Sequence, residues 1–561
     1  MPHRHSRWTP KSVLALRHYD RATFRHDLVA GVTVGLVALP LAMAFAIASG
    51  LPPQSGIYCA IVTGFLISAL GGSRTQIGGP TGAFVVVVSN IISVHGVAGL
   101  FMCTMMAGVM LVLLGITGTG SAVKFIPRPV VVGFTNGIAV LIASTQIRDF
   151  LGLRFQENTG EFLARMSAIA GHLDTASAPA AAVGVAALAV IVVMARLTPR
   201  VPGTIVALVA GTAAVWVFAL PVETVGSRFG GVPSGLPAIS IPKFTPSLIL
   251  TLLSPAVTVA MLGAIESLMS AVVADRMSGD RHNPNVELIA QGIANIASPV
   301  FGGLPATGAI ARTATNIRSG GRTPVAGMVH AATLLVVLLA GASLAARIPM
   351  AVLAAILFVV AWRMGEWGEI PALLRQTRED IAVWLVTFGL TVFADLTVAV
   401  EVGMVLAALI FIRRIAVTTT VSRVTPEDLR EGREHVLQGK DIPEYIAIYR
   451  IHGPFLFGAT DKIQKVIDDL PKLPEVVVLR LRNMTALDAT GLRALEELAT
   501  RVRASGRTAI FCGAREQPRA VMRQARFTEH VGAENVCPSV DAALTRAARV
   551  RHASGTGRPL A

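Results

Sequence analysis

The sequence predicts a polytopic α-helical membrane protein with 14 transmembrane segments in a 7+7 inverted repeat, followed by a small α/β domain. Three observations support this prediction. Of the 561 residues, 53% are hydrophobic and only 15% are charged, whereas about 25% of a typical soluble protein is charged. Apolar segments dominate as far as Arg413 and Arg414, and charged residues recur every few positions beyond them. A Gly-Gly, Pro, Thr-Gly-Ala order also occurs twice within the apolar part.

The composition excludes an ordinary soluble enzyme, because a chain this apolar needs lipid as its solvent. Basic cytoplasmic loops explain the net charge of +15 more simply than a nucleic-acid partner, which we do not expect. The four cysteines lack the short spacing of metal or redox motifs, so no metal site, cofactor or disulfide is expected. The basic residues 1–27 are predicted to form a cytoplasmic N-terminal arm, since they do not resemble a signal peptide.

Residues 28–414 form the predicted transmembrane domain. Several of its apolar segments are shorter than the 20 or so residues that a helix needs to cross a bilayer. The predicted segments are 29–49, 55–71, 82–94, 98–117, 129–147, 180–196, 202–220, 250–274, 286–300, 307–317, 324–343, 350–362, 380–394 and 396–412.

Two short segments, 82–94 and 307–317, each follow a Gly/Pro stretch that cannot be regular helix. The stretches are Gly78–Ala83 and Gly302–Ala309, and their similar order indicates an internal repeat. Paired interrupted helices at corresponding positions of two halves are typical of a transporter's binding site. An odd number of segments in each repeat makes the second repeat inverted. Glycine packing between helices, with chance similarity, is the alternative.

The charges in the loops agree with this count. With the N-terminus in the cytoplasm, most Arg and Lys fall in cytoplasmic loops, as in membrane proteins generally. Arg148, Arg154 and Arg165 fall outside, but acidic residues accompany them. An even number of crossings returns the C-terminal domain to the cytoplasm, so both termini are predicted to be cytoplasmic.

The remainder of the chain is predicted to contain a linker (415–439), an α/β domain (440–550) and a disordered tail (551–561). Strand and helix patterns alternate through the domain, and Val476–Leu479 has the continuous apolar character of a central buried strand.

Helices beginning at Thr81 and Thr307 would direct their N-termini toward one another near the middle of the membrane. Each N-terminus offers unpaired N–H groups and a partial positive charge, which favour a small anion. Gly82 and Gly308 would let the ligand approach the backbone. Arg312, in the second short helix, either reinforces this site, or snorkels, or pairs with a carboxylate.

Glu266 is an ionisable residue within an apolar segment, and such residues are by default functional. It is a candidate for binding a coupling ion, and Ser270, one turn further, faces the same way. The structural alternative is an ion pair with Arg312. A helix-to-helix turn explains Asp395, and Glu401 has no assigned role.

The sequence lacks a phosphate-binding loop, a nucleophile elbow and a zinc-protease motif, so neither ATP-driven transport nor catalysis is expected. In the C-terminal domain, Asp488–Leu492 links a strand to a helix N-terminus. Helix capping by Asp488 is the simplest reading of this motif.

Several motifs in order, Ala30–Pro40, Gly79–Thr81, Gly303–Arg312 with Asn316, and Asp488–Leu492, resemble the sulfate permease (SulP) family of anion transporters with its C-terminal STAS domain. The resemblance covers roughly 20–550. It implies a core domain of segments 1–4 and 8–11 that moves like an elevator against a gate domain of segments 5–7 and 12–14. It also implies an anion held between the third and tenth segments, and a homodimer.

The resemblance also implies roles for individual residues. The family's anion site falls on Thr81, Gly82, Ala83, Phe84, Thr307, Gly308, Ala309, Ile310, Ala311 and Arg312, with Phe45 in the first segment. The coupling carboxylate falls on Glu266, which modestly favours protons over sodium. Many members have Gln where this chain has Leu41, which weakens inference about the anion. Ala489 replaces the serine phosphorylated in related proteins, so Asp488 and Thr490 remain as a regulatory loop.

We therefore predict a secondary transporter of a small, sulfate-like anion in the inner (plasma) membrane, coupled to H⁺. The alternatives are a Na⁺-coupled bicarbonate carrier, an H⁺-coupled C4-dicarboxylate carrier, an uncoupled exchanger and a channel-like conductance. From another class, the chain would be a membrane-anchored signalling protein with a cytoplasmic partner for its STAS domain.

Overall fold

The computed structural model describes residues 8–17, 19–118, 127–155, 162–198, 202–231, 233, 235, 239–240, 246–394, 396–424 and 442–555. The chain divides into two compact units, Met1–Val405 and Leu406–Ala561. The first unit is built from helices, and the second contains a sheet.

The first half of the helical unit contains nine helices and one very short strand among its described residues. They are α1 (Lys11–Leu16), α2 (Arg21–Ala48), α3 (Pro53–Leu70), β1 (Gly78–Gly79), α4 (Ala83–Ile116), α5 (Arg128–Leu151), α6 (Phe162–Gly171), α7 (Ala178–Leu197), α8 (Gly203–Val217) and α9 (Val225–Phe229). The second half contains α10 (Pro246–Ser278), α11 (Pro284–Val300), β2 (Thr307–Gly308), α12 (Ile310–Arg318), α13 (Val325–Ala345), α14 (Met350–Met364), α15 (Ile370–Leu373), α16 (Arg378–Phe393) and α17 (Leu396–Thr418).

Each predicted segment coincides for most of its length with a helix, although 307–317 begins on β2, and two of the segments share α4. Gly96 separates these two, because its φ of +69° interrupts the helix between the predicted segments 82–94 and 98–117. Among the described residues, eight helices are long and apolar enough to span a membrane, judged by length and composition. Others are shorter, such as α12 with 9 residues.

Close packing between helices of the two halves depends on glycine. A Cβ atom on Gly292 of α11 would lie 2.5 Å from the carbonyl oxygen of Gly108 of α4, and a Cβ on Gly108 would lie 2.7 Å from that of Gly292. On α2, a Cβ on Gly35 would lie 2.7 Å from Cβ of Thr333 on α13. Small residues allow membrane helices to approach this closely, so the two halves interlock directly.

A second helix group centres on α5, which packs against α14 and α16. Asn136 of α5 is fully buried. Its side chain donates to the carbonyl oxygen of Gly365, at the end of α14, and accepts from the indole N–H of Trp384 on α16 at 2.9 Å. Asn136 thus links α5, α14 and α16 through hydrogen bonds.

The second unit contains a six-stranded sheet among its described residues. The strands are β3 (Thr420–Arg423), β4 (Ile446–Phe455), β5 (Val476–Arg480), β6 (Met484–Leu487), β7 (Thr508–Cys512) and β8 (Val536–Cys537). The helices are α18 (Asp461–Asp468), α19 (Ala489–Ala504), α20 (Glu516–Gln524), α21 (Phe527–Val531) and α22 (Val540–Gly555). The order is β3-β4-β5-β7-β8, with β6 also paired to β4.

Every residue of β5 is buried, in agreement with the central strand predicted at Val476–Leu479. Alternate residues of β5 belong to two separate hydrophobic clusters, which include Val477 and Val476 respectively. The sheet therefore has helices packed on both faces, as the alternating pattern predicted.

The predicted domain limits differ from the observed elements at three places. Helix α17 continues to Thr418 and β3 pairs antiparallel with β4, so part of the predicted linker, 415–439, belongs to the sheet domain. Helix α22 reaches Gly555, inside the tail predicted as disordered. The arm predicted at 1–27 includes α1 and the start of α2. Residues 1–7, 18, 395, 425–439 and 556–561 lie outside the described residues.

Candidate functional site

The two Gly/Pro stretches meet in an antiparallel pair of two-residue strands. Gly78 lies opposite Gly308, and Gly79 lies opposite Thr307. The prediction that a helix begins at Thr307 is wrong, because Thr307 and Gly308 satisfy backbone polar groups by pairing with the other stretch. The pair joins the breaks of the two repeats directly.

Helices α4 and α12 begin just beyond this pair. Helix α4 starts at Ala83 with Gly82 as its N-cap, two residues later than the start predicted at Thr81, and α12 starts at Ile310 with Ala309 as its N-cap. Neither N-cap side chain bonds to the helix. First-turn N–H groups without a partner can bind an anion. In α4 the N–H groups of Phe84 and Val85 already donate to the carbonyls of Thr81 and Gly82 at 3.3 and 3.0 Å, so the first-turn donor that α4 can offer is that of Ala83.

Two backbone donors before α12 are already used. The N–H of Gly308 donates to the hydroxyl of Ser267 at 3.1 Å, and the N–H of Ala309 donates to the carbonyl of Ile77 at 2.8 Å. The donors that α12 can offer to a ligand therefore begin at Ile310. Gly308 therefore leaves space for the ligand, but its own N–H is not available as a donor to it.

A carboxylate lies between the two threonines of the repeated motif. Thr81 and Thr307 donate their hydroxyl groups to Oε2 of Glu266, on α10, at 2.8 and 2.9 Å. The two hydroxyl oxygens lie 3.4 Å apart. Thr307 is fully buried, whereas Glu266 and Thr81 are partly exposed. The structure thus brings the predicted coupling carboxylate into direct contact with both predicted half-sites.

Ser270 occupies a different environment. Its buried hydroxyl lies 3.1 Å from the hydroxyl of Thr313 on α12, which accepts from the N–H of Ile77 at 3.0 Å. Gln76 lies nearby on the same loop and donates to the carbonyl of Ser267 at 3.1 Å. These contacts fix the strand pair against α10, and Ser270 takes part in them.

Arg312 is 2% exposed, and its Nη2 donates to the carbonyl of Pro80. Because it is buried, it does not snorkel to the surface, and its hydrogen bond goes to a backbone carbonyl. Among the described residues no ion pair joins it to Glu266 or to another carboxylate, so the structure has neither of those two alternatives. The guanidinium lies against β1, since a Cβ on Gly79 would overlap its Nη1. Its positive charge is buried immediately behind the turn that carries Thr81.

Apolar groups line one side of the helix ends. A Cβ on Gly82 would lie 3.3 Å from Phe45 and Ile142 and 3.4 Å from Met364, on α2, α5 and α14. Phe84 is buried. The other predicted residues differ in exposure: Ala83 and Ala309 are buried, Ile310 is 38% exposed, and Ala311 is exposed.

Sequence reasoning missed the residues of α11 that support the second break. Asn295 accepts from the N–H of Ala306 at 2.8 Å and donates to its carbonyl at 2.9 Å. Asn295 also donates to the carbonyl of Gln291, and Gln291 donates to the carboxylate of Glu287 at 3.0 Å. These polar residues recur every four positions along an apolar helix, a periodicity that would have indicated their role.

In the C-terminal unit, Asp488 caps α19, as the sequence suggested. Its Oδ1 accepts from the N–H of Gly491 at 2.7 Å, and its Oδ2 accepts from the N–H of Phe457 at 3.1 Å. Ala489 and Thr490 are exposed beside it. Capping accounts for Oδ1, whereas Oδ2 ties the start of α19 to the segment that follows β4.

Comparison with known protein families gives two matches. The description "Sulfate permease family" applies to residues 24–387, and "STAS domain" applies to residues 440–543. The protein called "Putative sulfate transporter YvdB" of Bacillus subtilis (strain 168) is 40% identical over 519 residues, 92% of this chain and 96% of that protein. The "Bicarbonate transporter BicA" of Picosynechococcus is 31% identical over 93% of this chain and 94% of that protein.

Solved structures agree in fold. The transmembrane domain of a cyanobacterial bicarbonate transporter, BicA, is 33% identical, with a TM-score of 0.61 over 69% of this chain and 98% of that domain. SLC26A9 superposes with a TM-score of 0.85 over 97% of this chain and 93% of that one. Its 18% identity makes it a likeness of fold alone.

Proposed function

Because the chain belongs to the sulfate permease family of membrane transporters and carries a STAS domain, we propose that it is a secondary carrier of a small, sulfate-like oxyanion coupled to H⁺. The observation that carries the proposal is the pair of uncapped helix N-termini, at Ala83 and Ile310, on either side of the strand pair. Backbone N–H groups and helix dipoles there favour a compact anion.

The position of Glu266 supports proton coupling. Its carboxylate contacts Thr81 and Thr307, at the starts of both half-sites. An ionised carboxylate would repel an anion bound there, and the repulsion is strong in a partly buried site. A proton on Glu266 neutralises the carboxylate and removes this repulsion. Anion and proton would therefore bind together, which is the requirement for symport.

The surroundings of Gly82 support an elevator motion. Phe45 belongs to the proposed core group (α2 to α4 and α10 to α13), whereas Ile142 and Met364 belong to the gate group (α5 to α8 and α14 to α17). The ligand site lies on the boundary between the groups. Sliding of one group past the other would carry the anion between the two sides of the membrane, proposed here to be the inner membrane.

Bicarbonate is the second candidate substrate. The relative named as a bicarbonate transporter aligns along nearly the whole chain. Leu41 stands where many family members have Gln, which removes one polar contact that could distinguish among anions. Sodium would be the natural coupling ion in that case.

Uptake into proteoliposomes tests the proposal. Purified full-length protein would be given labelled sulfate, bicarbonate or succinate, each with and without an inward pH gradient and with and without sodium. We expect sulfate uptake that a pH gradient stimulates and sodium does not. Sodium-dependent bicarbonate uptake would establish the second candidate, and absence of gradient-driven uptake of every anion would refute secondary transport.

A further inference from the structure

Three buried side chains in the helical unit carry polar atoms to which the contacts described above give no partner. His330, on α13, is fully buried, and neither ring nitrogen forms a hydrogen bond of good geometry with a described residue, although the backbone of Gly327 lies within reach of the ring. Nη1 of Arg312 and the hydroxyl of Ser68, both 2% exposed, also lack a hydrogen-bond partner among the described residues. Buried polar groups in folded proteins are almost always satisfied, by protein or by water.

These groups lie along one face of α3. A Cβ on Gly64 would lie 3.2 Å from both Cε1 and Nδ1 of His330. One turn earlier on α3, Ala60 lies beside Arg312, since a Cβ on Gly79 would be 3.8 Å from Cα of Ala60 and would overlap Nη1 of Arg312.

Ser68 is one turn beyond Gly64 on the same face, and its hydroxyl lies against Gly327 of α13. The imidazole of His330 therefore lies between the guanidinium of Arg312 and the hydroxyl of Ser68. The three groups form a continuous polar row inside an otherwise apolar interface.

The spacing along α3 fits a bridging water molecule. Ala60 and Gly64, the residues of α3 beside which Arg312 and His330 lie, are one helical turn or about 5.4 Å apart, and no direct hydrogen bond joins the two side chains. Two hydrogen bonds through one water span about 5.6 Å, and such bridges are nearly as favourable as direct bonds. The row supplies the several polar partners that a buried water requires.

We propose that the helical unit contains a bound-water site between Nη1 of Arg312 and the imidazole of His330, and that His330 positions Arg312 for anion binding. The ring is neutral, because a second positive charge beside an unpaired guanidinium would be strongly disfavoured. The water accepts from Arg312 and donates to the imidazole.

His330 would influence anion binding through Arg312 and Pro80. Arg312 holds the carbonyl of Pro80, and the next residue is Thr81, which bonds to Glu266. If Nη1 lacks its partner, the guanidinium is free to rotate, and the turn that carries Thr81 loses its anchor. This step rests on the proposed anion site, whereas the water site itself does not.

Hydroxyl-radical labelling of the full-length protein tests the water site without any transport measurement. X-ray pulses generate radicals from water next to buried side chains, and mass spectrometry then measures the modification of His330. Met102, also buried but in apolar surroundings, is the control. We expect faster labelling of His330 than of Met102, although Met is intrinsically reactive. Labelling of His330 at or below the rate of Met102 would overturn the water site.

Substitutions test the positioning role. His330→Phe removes the acceptor nitrogen and the N–H donor of the ring at similar volume, and we expect the KM for the transported anion to rise about 10-fold with little change in maximal rate, as loss of one charge-linked hydrogen bond implies. His330→Gln retains an acceptor and should restore KM to within about 3-fold of wild type.

Leu334→Met, one turn along α13, is the matched control and should leave KM unchanged. A lower maximal rate with unchanged KM in His330→Phe would indicate a purely structural role and contradict positioning. If the wild-type protein transports no anion, the proposed function fails, and the labelling result alone decides the water site.

Discussion

The carboxylate of Glu266 accepts hydrogen bonds from two threonines that are 226 residues apart in the chain. Glu266→Gln keeps an oxygen that both hydroxyl groups can reach but cannot carry a transferable proton. We expect anion affinity to stay within about 3-fold, since the hydrogen bonds persist, and stimulation by a pH gradient to disappear.

Uptake with and without an inward pH gradient is the measurement for this variant. Glu401→Gln is the control, because Glu401 bonds to Ser254 and not to either threonine. A variant Glu266→Gln whose uptake still responds to the gradient like wild type would rule out Glu266 as the proton carrier.

Position 308 requires glycine because there is no room for a side chain there. A Cβ at this position would overlap the side-chain amide of Gln76, which is buried and anchored to Ser267. We expect Gly308→Ala to lower the free energy of unfolding by about 1–3 kcal/mol, as overpacking does, and to reduce uptake. Thermal unfolding in detergent and proteoliposome uptake measure the two effects.

The control for Gly308→Ala is Gly389→Ala on α16, where a Cβ meets nothing within 4 Å. Adding Gln76→Ala to Gly308→Ala should recover part of the stability, because the overlapping group is removed. Additive losses in the double variant would show that the overlap is not the cause.

Among the elements, the connection from α12 to α13 is held by a buried carboxylate of α2. Asp27 accepts from the N–H groups of Arg322 and Thr323 at 2.7 and 3.1 Å, from the Thr323 hydroxyl at 2.5 Å and from Tyr19 at 3.1 Å. Burial and the charge of Asp27 raise the pKa of Tyr19 to about 12, so its hydroxyl remains a donor throughout the physiological range.

Asp27→Asn replaces an acceptor of four hydrogen bonds with an amide that places N–H groups against donors. We expect a loss of about 2–3 kcal/mol in the free energy of unfolding, typical of buried hydrogen bonds to a charge. The measurement is thermal unfolding in detergent. Asp20→Asn, at the N-cap of the same helix, should have almost no effect because Asn caps as well as Asp; equal losses in both variants would contradict the bridging role of Asp27.

The sequence was sufficient to predict the helices, because hydrophobic segments and Gly/Pro breaks are local signals. It predicted both breaks, and it marked Glu266 as a functional candidate from a charge within an apolar segment, but it did not predict that Glu266 lies between the two threonines. It did not predict the strand pair, since Gly78 and Gly308 acquire their structure only by meeting each other. Asp27 was missed for a similar reason, as its acceptor role depends on backbone groups 295 and 296 residues away.

At the scale of the whole molecule, each unit has a hydrophobic core of its own. We therefore expect a chain ending at Thr418 to fold and to transport anions in vesicles, with the C-terminal unit serving regulation. A chain ending at position 439 retains β3 without β4, its antiparallel partner. An unpaired strand edge promotes association, so this longer truncation should aggregate more.

Size-exclusion chromatography and proteoliposome uptake of the two truncations measure these outcomes. Loss of transport in a monodisperse chain ending at Thr418 would show that the C-terminal unit is needed for transport itself. Equal dispersity of the two truncations would show that β3 does not require its partner.

The strand pair between Gly78–Gly79 and Thr307–Gly308 has a kinetic consequence. The donors from the two repeats are joined through backbone hydrogen bonds, so any motion that preserves the pair carries both half-sites as one rigid clamp. Under the proposed elevator motion, we expect these donors to contribute equally to anion affinity on either side of the membrane. Asymmetry between influx and efflux would then originate in the ion gradients, in access to the clamp and in the gate residues that line it on each side.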